Sequence, residues 1–139
     1  MKSLDRFVAA QAGSYETALA EIRSGYKRSH WMWYIFPQLQ GLGYSSTAQY
    51  YAIEDLDEAQ AYLLHPVLGP RLLEISEALL ALDTDDADEV FGWPDNLKLR
   101  SCMTLFQCAG DEKIFGQVLA KFFGGEPDER TLALLDMLD

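Results

Sequence analysis

Asn96-Leu97-Lys98-Leu99-Arg100-Ser101-Cys102-Met103-Thr104-Leu105-Phe106-Gln107-Cys108 is the segment on which the fold class turns. Its opening, Leu97-Lys98-Leu99-Arg100, alternates apolar and polar residues with the period of two of a half-buried strand. The continuation does not keep that period. Leu99, Met103 and Phe106 step by four and three, the repeat of one helical face, and the spacing predicts a helix over the whole segment.

Working outward, the neighbours agree. Leu68, Leu72, Ile75, Leu79 and Leu82 form the clearest helical seam, with Glu74 and Glu77 off it. Between the two segments lie Asp83 to Glu89, an acidic loop or capping segment, and a turn at Gly92-Trp93-Pro94-Asp95. Downstream, Gly110-Asp111-Glu112 restarts a helix with Ile114, Phe115, Val118, Leu119 and Phe122 inward and Gly124-Gly125 at its end. Pro127-Asp128 opens a last helix with Leu132, Leu135 and Leu138 inward. Upstream, Leu4, Phe7, Val8 and Gln11 sketch a short helix closed by Gly13, and Ser14 caps a second one running to Gly25. A short helix begins at Ser29 or His30 and stops at Pro37. Ser45 or Ser46 caps another over residues 47–53, and Asp55-Leu56-Asp57-Glu58 starts one that ends at His65-Pro66. The expectation is a single all-α domain, residues 1–139, of eight or nine short helices.

Composition narrows the function. The chain has 22 acidic and 11 basic residues, a formal net charge of −11, which repels nucleic acid and anionic membranes over most of its surface. No apolar run approaches the roughly 20 residues of a membrane span, and the N-terminus does not read as a signal peptide. Cys102 and Cys108 lie on one predicted helix with side chains about 120° apart, which excludes a mutual disulfide and favours a reducing, cytoplasmic setting. His30 and His65 are isolated, so no metal site is expected. The sequence names no cofactor and no oligomeric state.

Two segments depart from the acidic background. Residues 22–53 contain no Asp or Glu but eight of the 17 aromatic residues, and a second acid-free run covers residues 96–110. On a helix, Arg100, Thr104 and Gln107 share one stripe, with Lys98 and Ser101 beside it. If the two segments pack together they line one cationic cleft in an acidic protein, where field focusing draws in a phosphate or carboxylate, and the expected ligand is small and anionic, with a nucleotide-like molecule as one candidate. In that reading Trp31 and Trp33 wall the cleft, Lys27, Lys98 and Arg100 supply charge, and Ser29, Gln38, Ser101 and Thr104 supply hydrogen bonds. For a catalytic site, His30 is the expected general acid or base with Asp95 as its orienter, in a hydrolytic or transfer reaction. Gly41 to Thr47 reads either as an anion-binding turn or as a plain capped turn. The plain alternative for the second segment is a surface helix whose Lys98 and Arg100 pair with the Asp83 to Glu89 run; the competing function is an acidic module that docks a basic protein through that run, with the aromatic stretch as simple core.

The run Lys27-Arg28-Ser29-His30-Trp31-Met32-Trp33-Tyr34-Ile35-Phe36-Pro37-Gln38-Leu39 followed by Gly41-Leu42-Gly43 resembles the signature of the DUF 1810 family. So do Tyr62-Leu63-x-His65-Pro66-x-Leu68-x-x-Arg71-Leu72, Asp95-x-x-Lys98-Leu99-Arg100-Ser101-x-Met103-Thr104-Leu105-Phe106 and Phe122-Phe123-x-Gly125-x-x-Asp128-x-x-Thr131-Leu132. Cys102 stands where a small residue such as Ser is expected. The resemblance implies a small, mostly helical, largely bacterial protein and supplies no reaction. The calpastatin label some members carry does not fit a compact, non-repetitive chain.

Overall fold

The computed structural model describes residues 3–138. Among them it contains no strand and ten helices: α1 (Asp5–Ala12), α2 (Tyr15–Arg23), α3 (Met32–Ile35), α4 (Ser46–Tyr51), α5 (Leu56–Leu64), α6 (Leu68–Leu80), α7 (Ala87–Phe91), α8 (Asp95–Ala109), α9 (Ile114–Phe123) and α10 (Glu129–Leu138). The protein is all-α as expected, with one helix more than the sequence reading allowed. The addition is α7, inside the supposed acidic loop. Asp86 accepts hydrogen bonds from the Asp88 and Glu89 N–H groups at 3.0 and 3.3 Å, so part of the acid run is a helix cap.

The segment with the ambiguous period is the axis of the molecule. Helix α8 packs against α5, α7, α9 and α10, and all of residues 101–106 are buried. A helix covered on several sides has no single polar face, which is why its stripe was blurred. A single buried cluster takes side chains from every helix except α4, which contributes the partly buried Tyr51. Aromatic rings run through it in contact: Phe7 meets Tyr62 edge-on at 5.2 Å, Tyr62 meets Phe106 at 5.2 Å, and Phe106 meets Phe115 at 5.9 Å.

Four local expectations need correction. Ser14 does not cap α2; its hydroxyl donates back to the Ala10 carbonyl at 2.6 Å and closes α1 instead. The helix capped by Ser45 stops at Tyr51, because Ile53 turns away to pair with the chain after α3 in an isolated parallel bridge to Leu39. Glu58 does not complete a capping box with the Asp55 N–H. It takes the Glu54 N–H at 2.7 Å and the Arg6 guanidinium at 3.1 Å, both inside the protein. Leu138 is exposed, and Leu134 packs against the core in its stead.

Buried polar groups hold the helices in place. Arg6 donates to the Tyr50 and Ala52 carbonyls, each at 2.8 Å, besides pairing with Glu58. The Lys121 ammonium reaches the Leu79, Leu80 and Leu82 carbonyls and so closes the C-terminus of α6. His65 Nδ1 accepts from the Val67 and Leu68 N–H groups at 3.1 and 3.3 Å, so the residue that ends α5 also caps α6. No helix among the described residues is long and apolar enough to cross a membrane.

Candidate functional site

Glu21, near the end of α2, organises the segment leading into α3. It is buried, and its carboxylate accepts from the Arg28 N–H at 2.7 Å, the Ser29 N–H at 3.0 Å, the Ser29 hydroxyl at 2.5 Å and the Trp31 indole N–H at 2.9 Å. Burial opposes its ionisation, but the Ser29 hydroxyl and the three N–H donors outweigh that and hold its pKa at about 2. This fixes Ser29 and Trp31 as structural groups. Trp31 is almost wholly buried, its ring against Phe36 and Phe91.

Lys27 follows the same logic. Its ammonium pairs with Asp95 at 2.9 Å, donates to the Ser29 carbonyl at 2.5 Å and lies 5.0 Å from the Trp31 ring centre. Asp95, at the start of α8, also takes Lys98 at 3.2 Å. The carboxylate expected to orient His30 thus lies between two lysines. His30 is exposed, and its ring has no hydrogen bond or ion pair among the described residues. No hydrogen bond or ion pair joins His30 to Asp95 among the described residues.

Trp33, Gln38, Lys98 and Ser101 do come together. They line a half-open cavity of about 500 Å³ with Leu42, Gly43, Tyr44, Ser45, Ala48, Pro94, Leu97, Asp128 and Arg130. The two acid-free segments therefore share a wall. The Lys98 ammonium lies 5.1 Å from the centre of the Trp33 ring. Ser101 is buried, its hydroxyl donating to the Leu97 carbonyl at 3.2 Å. The loop from Leu42 to Ser45 closes one side. A β-carbon on Gly43 would lie 2.7 Å from the Ala48 β-carbon, so the loop approaches α4 this closely only with glycine. Ser45 caps α4 by accepting from Ala48 N–H at 3.1 Å, the capped-turn alternative for this segment.

Arg100 and Thr104 lie elsewhere. Arg100 turns to the chain after α9, pairing with Glu126 at 3.3 Å and donating to its carbonyl at 3.0 Å. Neither Lys98 nor Arg100 pairs with the Asp83 to Glu89 run. Thr104 is fully buried. Its hydroxyl donates to the Arg100 carbonyl and accepts from the Asp128 N–H, both at 2.8 Å, and so positions the start of α10 against α8.

That junction brings in two charged cavity residues the sequence reading missed. Asp128 caps α10, one oxygen accepting from the Thr131 N–H at 3.0 Å and its hydroxyl at 2.6 Å. Arg130 has no carboxylate partner among the described residues; it makes only a long 3.5 Å contact to the Gly41 carbonyl. The capping spacing of Asp128 and Thr131 was visible in sequence, but nothing local distinguishes Arg130 from any solvated arginine. The cavity holds two cations and one carboxylate, with an aromatic wall and the Gln38 amide, which has no hydrogen-bond partner among the described residues.

A comparison with curated proteins gives no significant match. Among solved structures, the conserved hypothetical protein Rv1873 from Mycobacterium tuberculosis is 51% identical and superposes with a TM-score of 0.94, over 96% of each chain. The family described as "Protein of unknown function (DUF1810)" matches residues 1–135. Sequence, fold and the solved relative agree, and the chain belongs to the DUF1810 family.

Proposed function

We propose that this protein binds a small anionic ligand carrying a planar group in the cavity between α3, the Leu42–Ser45 loop, α8 and α10. One observation carries the reading. In a protein with a net charge of −11, Trp33, Lys98 and Arg130 converge from distant parts of the chain on a concavity of about 500 Å³, within the range of small-molecule sites. Arg130 is the strongest element of the reading: a guanidinium at a cavity wall, with no carboxylate partner among the described residues, offers its donor fork to a phosphate or carboxylate. The reading is one of binding. A hydrolytic or transfer reaction through His30 and Asp95 gains no support, since one is outside the cavity and the other is held by Lys27 and Lys98. Two free cysteines and the absence of a membrane-spanning helix among the described residues support a cytoplasmic setting.

The test is a thermal-shift series with inorganic phosphate and an aromatic carboxylate as probes. Binding to the folded state raises the melting temperature by mass action. The shift is expected for the unaltered protein and for Arg100→Ala, and is expected to vanish in Arg130→Gln and Lys98→Ala. A shift that survives Arg130→Gln, or none with any anion, would sink the proposal.

The second reading, an acidic docking module, has its own observation. Asp85, Asp86 and Asp88 border a more open depression of about 680 Å³ with Phe122 and Phe123. Lys121, at the same place, is occupied by the α6 carbonyls, so the surface stays acidic. Capture of a basic peptide, abolished by Asp85→Asn with Asp88→Asn, would favour it.

A further inference from the structure

We infer that the ligand of the cavity is a nucleotide bearing a single phosphate, a reading that rests on the anion site proposed above and adds its chemical class. Charge limits the ligand. Lys98 and Arg130 share the cavity wall with one carboxylate, Asp128, and Asp95, paired with both Lys27 and Lys98, adds with Lys27 one charge of each sign. The net is one positive charge, counted as three cations less two carboxylates. One phosphoryl group brings roughly −1.5 to −2. A triphosphate brings far more, in a protein already at −11, and the cavity has no glycine-rich cradle of N–H groups to disperse it.

The wall also combines apolar and polar groups. Trp33, Leu42, Tyr44 and Pro94 offer flat or apolar surface, and Trp33 carries Lys98 near its ring. A base stacks on such a side chain through its π-face, which every base has. The same wall carries groups that suit sugar hydroxyls and base edges. One Asp128 oxygen is occupied by Thr131, leaving the other as an acceptor, and the Gln38 amide offers both a donor and an acceptor. An aromatic carboxylate uses the ring and the cations but leaves these polar groups, and much of the 500 Å³, unused.

Titration calorimetry on the full chain decides the matter, with AMP, adenosine, inorganic phosphate, benzoate and ATP as probes. AMP is expected to bind at least tenfold more tightly than adenosine, phosphate or benzoate, and more tightly than ATP. Trp33→Leu should weaken AMP about tenfold and leave phosphate unchanged, whereas Arg130→Gln should weaken both. Circular dichroism shows whether each variant is folded, and Trp33→Phe, which keeps an aromatic face, should recover most of the AMP affinity. If benzoate or phosphate binds as well as AMP and still depends on Arg130, the nucleotide inference falls and the anion site stands. If ATP binds best, the single-phosphate limit falls. If no anion binds the folded protein, both readings fall.

Discussion

Glu21 shows how much one side chain decides. Its ionised form is held by four donors, so its folded pKa of about 2 lies below the ordinary value of 4.5. A carboxylate with a lowered folded pKa contributes stability that is complete above about 4.5 and is lost as the pH falls toward about 2. The shift corresponds to about 3 kcal/mol. Glu21→Gln is expected to be less stable than the parent by about that amount at neutral pH, with the difference shrinking through the acid window. Urea melts at several pH values check this. A gap that stays constant down to the acid limit would show that packing, not the charge-assisted bonds, is what the substitution removes. The residue also accounts for Trp31. A tryptophan followed two residues later by another suggests two equal walls of a cleft, but the indole that finds a buried carboxylate becomes core and the other lines the cavity.

Among elements, the contact between α5 and α6 is the tightest constraint. A β-carbon on Gly69 would lie 2.1 Å from the Leu63 carbonyl oxygen, a backbone atom that cannot swing aside. Two effects compete in Gly69→Ala. Helix propensity favours alanine by about 1 kcal/mol, and forced separation of packed backbones costs about 3 kcal/mol. The clash wins, and a net loss of about 2 kcal/mol is expected from denaturant midpoints. Gly116 in α9 gives the opposite sign. There the close atom, at 2.8 Å, is the amide tip of the exposed Gln107, which can rotate away, so Gly116→Ala should be neutral or slightly stabilising. Equal losses at the two positions would refute the assignment. Element types were legible where a single face is buried, as in α6, whose seam survives intact from Leu68 to Leu79. Helix α7 was not, because its five residues are too short to show a period, and its acids read as loop.

At the scale of the molecule, Arg6 and Glu58 tie the N-terminal helix to the α4–α5 connection, with side chains only 4% and 0% exposed. Removing one partner of such a buried pair leaves an uncompensated charge and typically costs about 3–5 kcal/mol. Glu58→Gln is expected to lose about 3 kcal/mol. A simple buried pair is often recovered by replacing both partners with apolar residues. Here Arg6→Met with Glu58→Leu should not recover, since the Tyr50 and Ala52 carbonyls and the Glu54 N–H would lose their partners as well. A double variant as stable as the parent, measured by reversible melting, would overturn this.

What the sequence determined by itself is what local repetition encodes. The all-α class, most helix positions, the glycine end of α9 and the family membership all follow from spacings of three and four residues and from contiguous motifs. The acid-free segments offered a shared cleft as one of two readings, and Trp33, Gln38, Lys98 and Ser101 line a common cavity. Only the tertiary structure decided which charges were spent. Lys27, Lys98 and Arg100 look alike in sequence, yet the first is locked to Asp95 and the Ser29 carbonyl, the second stands at the cavity, and the third clamps Glu126. Arg130 becomes a site residue only because α10 docks on α8 through Thr104 and Asp128. The reason is physical: periodicity is fixed within a turn or two of chain, while the worth of a charge depends on burial and on partners that can lie 50 residues or more away, as Arg6 and Glu58 do.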